Sequence, residues 1–160
     1  MTAPNPLFLR EEELDGGLDL LLLAGRQLAA EARPLLDAAG LDETDHHLLF
    51  LVRRRPGVTL VELCEAMGRS KQTLSRHLLR LAEQGLVERG GPAADRRRRP
   101  FTVTERGEAL LVRANAVQKG RLRLAFKSAG AVAVEGFQRV LRELAEEPGR
   151  AVPVPRARAS

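Results

Sequence analysis

Apolar residues recur at helical spacing over most of this chain, and proline or glycine marks the breaks between the periodic segments. The first segment, residues 11–39, is rich in Leu and Ala and predicts a long helix, which Pro34 is expected to bend or split. Two further segments near the C-terminus begin at Thr104 and after Gly130 and carry apolar stripes of the same spacing. The pattern therefore predicts a mainly helical protein.

Polar residues suited to capping mark the helix starts in the middle of the chain. Asp42 is suited to cap one helix, with Asp45 three residues later, and basic residues at the far end favour a helix C-terminus there. Thr59 and Glu62 match a capping box at the start of a short helix, which Gly68 closes after two turns. The spacing thus predicts two consecutive helices in this part of the chain.

The next helix has a clear division between apolar and polar positions. Ser70 is suited to cap it, and Gly85 follows its last turn, where a left-handed backbone is common. Three leucines at helical spacing form its apolar stripe: Leu74, Leu78 and Leu81. Two short helices joined at a glycine, the second with polar side chains near its start, form the helix-turn-helix pattern.

A strand, a loop and a second strand are predicted after this helix. Residues 86–89 and 101–103 have strand propensity, and the loop between them contains a Gly-Gly-Pro turn. A hairpin that directly follows the second helix of a helix-turn-helix is a wing. The expected fold class is therefore mainly α with a small β-wing, built around a winged helix-turn-helix domain.

Positive charge is concentrated in one fifth of the sequence. The formal net charge is +5, yet residues 69–99 alone carry nine basic and three acidic residues, and the remainder of the chain has a net charge of −1. Such asymmetry is expected of a surface that binds a polyanion. Double-stranded DNA is the predicted partner, because the second helix of a helix-turn-helix lies in the major groove.

Two groups of side chains are candidates for contact with DNA. On the recognition helix, Gln suits adenine, Arg suits guanine, and Lys and hydroxyl groups suit phosphates or base edges. These candidates are Ser70, Lys71, Gln72, Thr73, Ser75, Arg76 and Arg80. On the wing, a carboxylate is expected to orient arginines that follow the phosphates or enter the minor groove. These candidates are Asp95, Arg96, Arg97, Arg98 and Arg99. The alternatives are ordinary exposed helix positions and a merely solvated loop.

The remaining composition excludes several classes of protein. The 160 residues suffice for one domain or two small lobes. No apolar run has the length of a membrane span and no signal sequence is present, so we expect a soluble, cytoplasmic protein without membrane contact. A single cysteine, Cys64, excludes an intrachain disulfide, and we expect a core residue there rather than a redox sensor. The absence of Trp and Tyr disfavours single-strand binding by aromatic stacking.

Metal and enzyme chemistry find little support in the sequence. His46 and His47 are adjacent, so on a helix they point about 100° apart and lack the i, i+4 spacing of a metal-binding pair. The sequence contains no Gly-rich phosphate loop, no nucleophile in a recognisable setting and no paired carboxylates beside a His. We therefore predict no metal, no cofactor and no enzymatic activity.

The order of these elements, together with two motifs, resembles the MarR family of bacterial winged helix-turn-helix regulators. The stretch "TLVELCEAMGRSKQTLSRHLLRLAEQGLVER" is similar to the helix-turn-helix block of that family, and "ADRRRRPFTVTERGEALL" is similar to its wing. The matching wing positions are Asp95 and Arg97, followed by Thr104 and Gly107 at the next helix start. The resemblance covers about residues 14–145.

Two residues of the recognition helix depart from the family pattern. His77 stands where Leu or Val is usual, and Leu79 stands where a polar residue is commoner. Neither departure changes the expected fold, so the effect is expected in the local packing of this helix.

The resemblance implies a homodimer that places one winged helix per subunit on a palindromic duplex. It divides the chain into an N-terminal dimerisation helix region (1–41), a winged helix-turn-helix DNA-binding domain (42–104), C-terminal dimerisation helices (105–147) and a tail (148–160) that we expect to be disordered. It also implies a small-molecule effector, with His46 and His47 near the usual ligand crevice. The predicted function is a ligand-responsive repressor; the alternatives are a constitutive DNA-architectural protein and a small enzyme.

Overall fold

A computed structural model describes residues 7–90 and 100–145 of the chain. After a 3₁₀ turn at Leu7–Leu9, its elements are α1 (Glu11–Ala38), α2 (Glu43–Arg54), α3 (Leu60–Met67), α4 (Lys71–Glu83), β1 (Val87–Arg89), β2 (Phe101–Val103), α5 (Glu105–Ala129) and α6 (Ala131–Ala145). The two strands form an antiparallel sheet, which confirms the mainly helical fold class with a small wing. None of the described helices is both long and apolar enough to cross a membrane. The predicted tail, 148–160, lies outside the described residues.

The helix starts agree with the capping signals in the sequence. At α2, the backbone N–H of Asp42 donates to Asp45 Oδ2 at 2.9 Å, and that of Asp45 donates to Asp42 Oδ1 at 3.0 Å. Thr59 and Glu62 form the same reciprocal box at α3. Ser70 accepts from the backbone N–H of the third α4 residue. Local hydrogen bonding therefore sets where α2, α3 and α4 begin.

Helix α1 is continuous through Pro34, so the expectation of a split at this proline is wrong. Proline has no N–H to donate to the carbonyl group four residues earlier, which is that of Ala30. Both Ala30 and Pro34 are exposed. Water can therefore satisfy the freed carbonyl on this side of the helix, and the helix persists despite the lost hydrogen bond.

The chain divides into two compact units, Met1–Lys119 and Gly120–Ser160. The first unit contains the hydrophobic core, to which α2, α3, α4 and α5 all contribute. Its largest fully buried apolar side chains are Leu48, Leu49, Val52, Leu63, Leu74, Leu81 and Leu111. Cys64 is half-buried and packs against this core, in agreement with the expected core residue. In the second unit, the rings of Phe126 and Phe137 meet edge to face at a centroid distance of 6.2 Å.

The wing is connected closely to the start of α5. The backbone N–H of Thr104 donates to the carbonyl oxygen of Leu86 at 3.1 Å. The Thr104 hydroxyl donates to the carbonyl oxygen of Gly85 at 2.6 Å and accepts from the N–H of Gly107 at 3.1 Å. A Cβ atom on Gly107 would lie only 2.1 Å from the Leu86 carbonyl oxygen. The first turn of α5 thus approaches the wing so closely that only glycine fits there.

Candidate nucleic-acid interface

Helix α4 buries one face and exposes the opposite one. Its three leucines, Leu74, Leu78 and Leu81, are at most 3% exposed. On the outward side, the structure places four of the DNA-contact candidates together as exposed side chains: Lys71, Gln72, Ser75 and Arg76. These are hydrogen-bonding and cationic groups on the first two turns, and side chains near the start of a recognition helix contact base edges.

Ser70 and Thr73, two further candidates, contact each other at the start of α4. The Ser70 hydroxyl accepts from the Thr73 N–H at 3.2 Å, and the two hydroxyl oxygens lie 2.9 Å apart. Their first role in this structure is therefore to cap the helix. A hydroxyl group can accept a second hydrogen bond, so contact of either residue with DNA stays a prediction.

Arg80, the last helix candidate, is bound to acidic residues of α2. Its Nη2 atom donates to Asp42 Oδ2 at 2.9 Å and also contacts Asp45 Oδ2. The hydrogen bond with Asp42 is the main cause of a raised pKa of the Arg80 guanidinium. Arg80 therefore connects the recognition helix to the start of α2, and contact of Arg80 with DNA stays a prediction.

Asp45 is the centre of this arrangement, because its carboxylate is completely buried. It is 0% exposed, and its Oδ1 atom lies 2.8 Å from Nδ1 of His77. A buried carboxylate is strongly destabilising unless partners compensate its charge. Arg80 supplies the compensating charge, and His77 and the Asp42 N–H supply further hydrogen bonds. We call these four residues, Asp42, Asp45, His77 and Arg80, the α2–α4 network.

The proton on His77 can be assigned from its two neighbours. Nδ1 lies 2.8 Å from the Asp45 carboxylate and 3.1 Å from Nη2 of Arg80. An ionised carboxylate only accepts and a guanidinium only donates, so Nδ1 satisfies Asp45 only when it carries the proton. The 3.1 Å approach of Nδ1 to Arg80 is then a contact between two donors rather than a hydrogen bond. His77 thus donates to Asp45.

The network also explains why the carboxylates of Asp42 and Asp45 can lie close together. Burial alone raises the pKa of Asp42, but the Asp45 backbone N–H, Arg80 and His77 together outweigh it and lower the pKa. Ligand-type atoms of Asp42, Asp45 and His77 lie within 4.8 Å of one another, a spacing compatible with a metal ion. Arg80 already contacts both carboxylates, so a guanidinium provides the positive charge at this position. The arrangement is therefore an ion-pair network.

The two histidines predicted near an effector differ in their surroundings. His46 is buried, and its Nε2 atom lies 2.9 Å from Oδ1 of Asn115 on α5. The Nδ2 atom of Asn115 is buried without a hydrogen-bond partner among the described residues. His47 is exposed. The His46–Asn115 contact could not be predicted from local sequence patterns, because the partners are 69 residues apart.

A cavity of about 530 Å³ lies between the second half of α1 and the start of α2. Its charged lining residues are Arg26, Arg33, Asp37, Asp42 and Glu43. Among the described residues, neither His46 nor His47 belongs to the lining. Asp42 belongs to both the cavity lining and the α2–α4 network. Its hydrogen bond with Arg80 therefore connects the cavity wall to the recognition helix.

The wing is described at its base. The strands pair in the register Val87 with Val103 and Arg89 with Phe101, and the guanidinium of Arg89 lies 5.3 Å from the Phe101 ring centroid. The wing candidates Asp95, Arg96, Arg97, Arg98 and Arg99 lie outside the described residues. Their contacts with DNA and with one another therefore stay predictions.

Comparison with known proteins agrees with this architecture. A family model described as MarR family matches residues 39–98. The chain is 34% identical to the HTH-type transcriptional regulator PetP of Rhodobacter capsulatus, over 86% of this chain and 83% of PetP. It is 28% identical to the HTH-type transcriptional repressor Rv2887 of Mycobacterium tuberculosis, over 80% of this chain and 92% of the repressor.

Solved structures are similar over most of the chain. A crystal structure of MarR is 28% identical, with a TM-score of 0.63, and the match covers 91% of this chain and 92% of that one. The complex of Rv2887 with salicylic acid is 29% identical, with a TM-score of 0.56. That match covers 78% of this chain and 93% of Rv2887 in the complex. Both matches cover more than three quarters of this chain, so the similarity extends beyond the helix-turn-helix.

Proposed function

The chain belongs to the MarR family of transcriptional regulators, which are not enzymes, and from this premise we propose that it is a cytoplasmic repressor that binds a palindromic DNA operator as a homodimer. The observation that carries the proposal is the outward face of α4, where Lys71, Gln72, Ser75 and Arg76 are exposed together while the leucines behind them are buried. A repressor among the relatives supports the direction of regulation.

In this proposal, the two halves of the interface have different tasks. The exposed α4 side chains contact base edges in the major groove, where Gln and Arg distinguish adenine and guanine. The arginines of residues 96–99 contact phosphates or the minor groove, with Asp95 orienting Arg97. The first contacts supply sequence specificity, and the second supply affinity for any duplex.

The partner that we propose for the terminal helices is a second copy of this chain. Helices α1 and α6 carry large apolar side chains that are 41% to 86% exposed within one chain, more than isolated surface leucines would explain. They include Leu14, Leu18, Leu20, Leu21, Leu22 and Leu23 of α1 and Val132, Phe137, Val140 and Leu144 of α6. Residues 1–41 and 105–147 are accordingly the proposed dimerisation regions, and 42–104 the DNA-binding domain.

Selection of bound sequences from a random duplex pool tests the proposed function. A homodimer with one winged helix per subunit should enrich a palindrome whose half-sites are centred about one helical turn apart, roughly 10 base pairs. The mass of the protein–DNA complex should correspond to two protein chains and one duplex. Enrichment of no motif, with uniform coating of every duplex, would instead support a DNA-architectural protein.

The proposed effector is a small aromatic acid, since a relative crystallises with salicylic acid. In this chain, the cavity beside α2 offers Arg26 and Arg33 to a carboxylate, and His47 lies one turn after Glu43 of its lining. Salicylate should raise the thermal midpoint of the protein and release the operator, and Arg26→Ala should reduce both effects. A ligand regulates only if it binds two states unequally, so stabilisation without operator release would count against this effector.

Variants of the two halves of the interface should fail differently on DNA. Gln72→Ala or Arg76→Ala should weaken binding to the selected operator by about 1–3 kcal/mol and leave random DNA binding nearly unchanged. Arg97→Ala should weaken binding to every sequence and reduce the salt dependence by about one unit. Affinity measured by fluorescence anisotropy at several salt concentrations separates the two patterns.

Two controls sharpen this comparison. Arg139→Ala removes one exposed positive charge from α6 and should leave the salt dependence unchanged. Asp95→Ala raises the net charge, yet it should weaken binding if the carboxylate orients Arg97. Tighter binding of Asp95→Ala at moderate salt would show that Asp95 is only a negative charge near DNA.

A further inference from the structure

Helix α4 exposes one large apolar side chain on its otherwise polar outward face. Leu79 is 61% exposed, whereas the other leucines of this helix are at most 3% exposed. It follows Gln72 by seven residues and Arg76 by three, so at about 100° per residue all three project in similar directions. Leu79 therefore belongs to the face that is proposed to meet DNA.

The position of Leu79 is fixed by its neighbours in the chain. Leu78 is buried in the core, His77 donates to Asp45 at 2.8 Å, and Arg80 donates to Asp42 at 2.9 Å. The third turn of α4 is thereby anchored to the start of α2 through His77 and Arg80 and to the core through Leu78. Leu79 is presented from an anchored turn, and a side chain that contributes to specificity needs such a fixed position.

The major groove contains one kind of apolar group that a leucine can contact, the 5-methyl group of thymine. Leu79 lies three residues after Arg76, about 4.5 Å further along the helix axis, which is comparable to one base-pair step. A single exposed leucine between polar neighbours is too small for a protein-docking patch. DNA is therefore the favoured partner over a further protein.

We propose that Leu79 is a specificity-determining residue that contacts the methyl group of a thymine in the operator, next to the base pair faced by Arg76. This inference rests on the proposed DNA-binding function. A methyl group neither donates nor accepts a hydrogen bond, so the hydrogen-bonding side chains of α4 cannot recognise it. Leu79 would thus add a preference for thymine.

Replacement of single thymines by deoxyuridine tests the inference directly, since it removes only the methyl group. The full chain and its Leu79→Ala variant are titrated with the operator from the random pool, first unmodified and then with each thymine replaced in turn. At one symmetric pair of thymines, each lost methyl contact should lower the operator affinity of the parent protein about fourfold. This is the effect expected for one buried methyl-sized group. The variant should bind the unmodified operator more weakly and lose no further affinity at that thymine.

The outcomes separate this inference from the proposed function. An operator without thymine at the relevant step, or equal deoxyuridine effects on parent and variant, would overturn the role of Leu79 while leaving the repressor intact. A pool without any enriched motif would overturn both. Leu79→Ala should keep the thermal midpoint and the oligomeric mass of the parent; a change in mass without a thymine effect would show that Leu79 contacts protein instead.

Discussion

Gly107→Ala is expected to destabilise the protein by more than about 3 kcal/mol. The added Cβ would lie 2.1 Å from the carbonyl oxygen of Leu86 and 2.7 Å from Cγ1 of Val103, far inside van der Waals contact. The obstacle is backbone, and it cannot move freely. Leu86 donates to Leu81 at 2.9 Å and accepts from Thr104 at 3.1 Å, so a shift breaks hydrogen bonds on both sides.

Urea unfolding followed by circular dichroism measures this effect, with Gly120→Ala as the matched control on the same helix. A Cβ on Gly120 meets nothing within 4 Å, and alanine favours a helix over glycine by about 0.5–1 kcal/mol. The control should therefore be neutral or stabilising. Equal unfolding midpoints for Gly107→Ala and the parent would contradict the close packing of α5 on the wing.

The second large effect is expected for Asp45→Ala, which should cost about 2–4 kcal/mol and also weaken operator binding. The variant removes the partner of His77, one partner of Arg80 and the reciprocal cap of the Asp42 N–H. Arg80 is 40% exposed and keeps Asp42, which moderates the loss. Because α4 loses its anchor to α2, its exposed side chains should be placed less well for base contact.

Asp37→Ala provides the control for loss of an acidic group. The Arg33–Asp37 pair spans 3.6 Å with side chains that are 75% and 62% exposed, so its removal should change stability by less than about 0.5 kcal/mol. Asp45→Asn keeps the size of the side chain and one acceptor, and should fall between the two. Should Asp45→Ala unfold like Asp37→Ala, the buried carboxylate is not what holds α4 to α2.

The elements that depend on neighbouring residues could be predicted from the sequence. Capping by Asp42, Thr59 and Ser70 and the apolar stripe of α4 are local patterns, and the structure agrees with each of them. The split of α1 that was one of the two expected effects of Pro34 does not occur, since the cost of a proline depends on whether water reaches the freed carbonyl group. Exposure of that kind is a property of the fold rather than of the local sequence.

The α2–α4 network could not be predicted, because its two acidic members are more than 30 residues from His77 and Arg80 in the chain. The sequence identifies Asp45 only as part of the α2 start and Arg80 only as a candidate DNA contact. The departure of His77 from the family pattern is the available signal. A polar residue in place of an apolar one on a buried helix face needs a partner, and Asp45 is that partner.

Asp42 performs three tasks at once: it caps α2, borders the cavity beside α1 and pairs with Arg80 of the recognition helix. A mutation of Asp42 alters all three together, so we expect few substitutions to be accepted at this position during evolution. Other residues of the cavity wall, such as Ala29 and Ala30, neither cap α2 nor pair with Arg80. In the proposed function, a regulator of this kind can therefore acquire new ligands by varying α1, while the contact between the start of α2 and the recognition helix is retained.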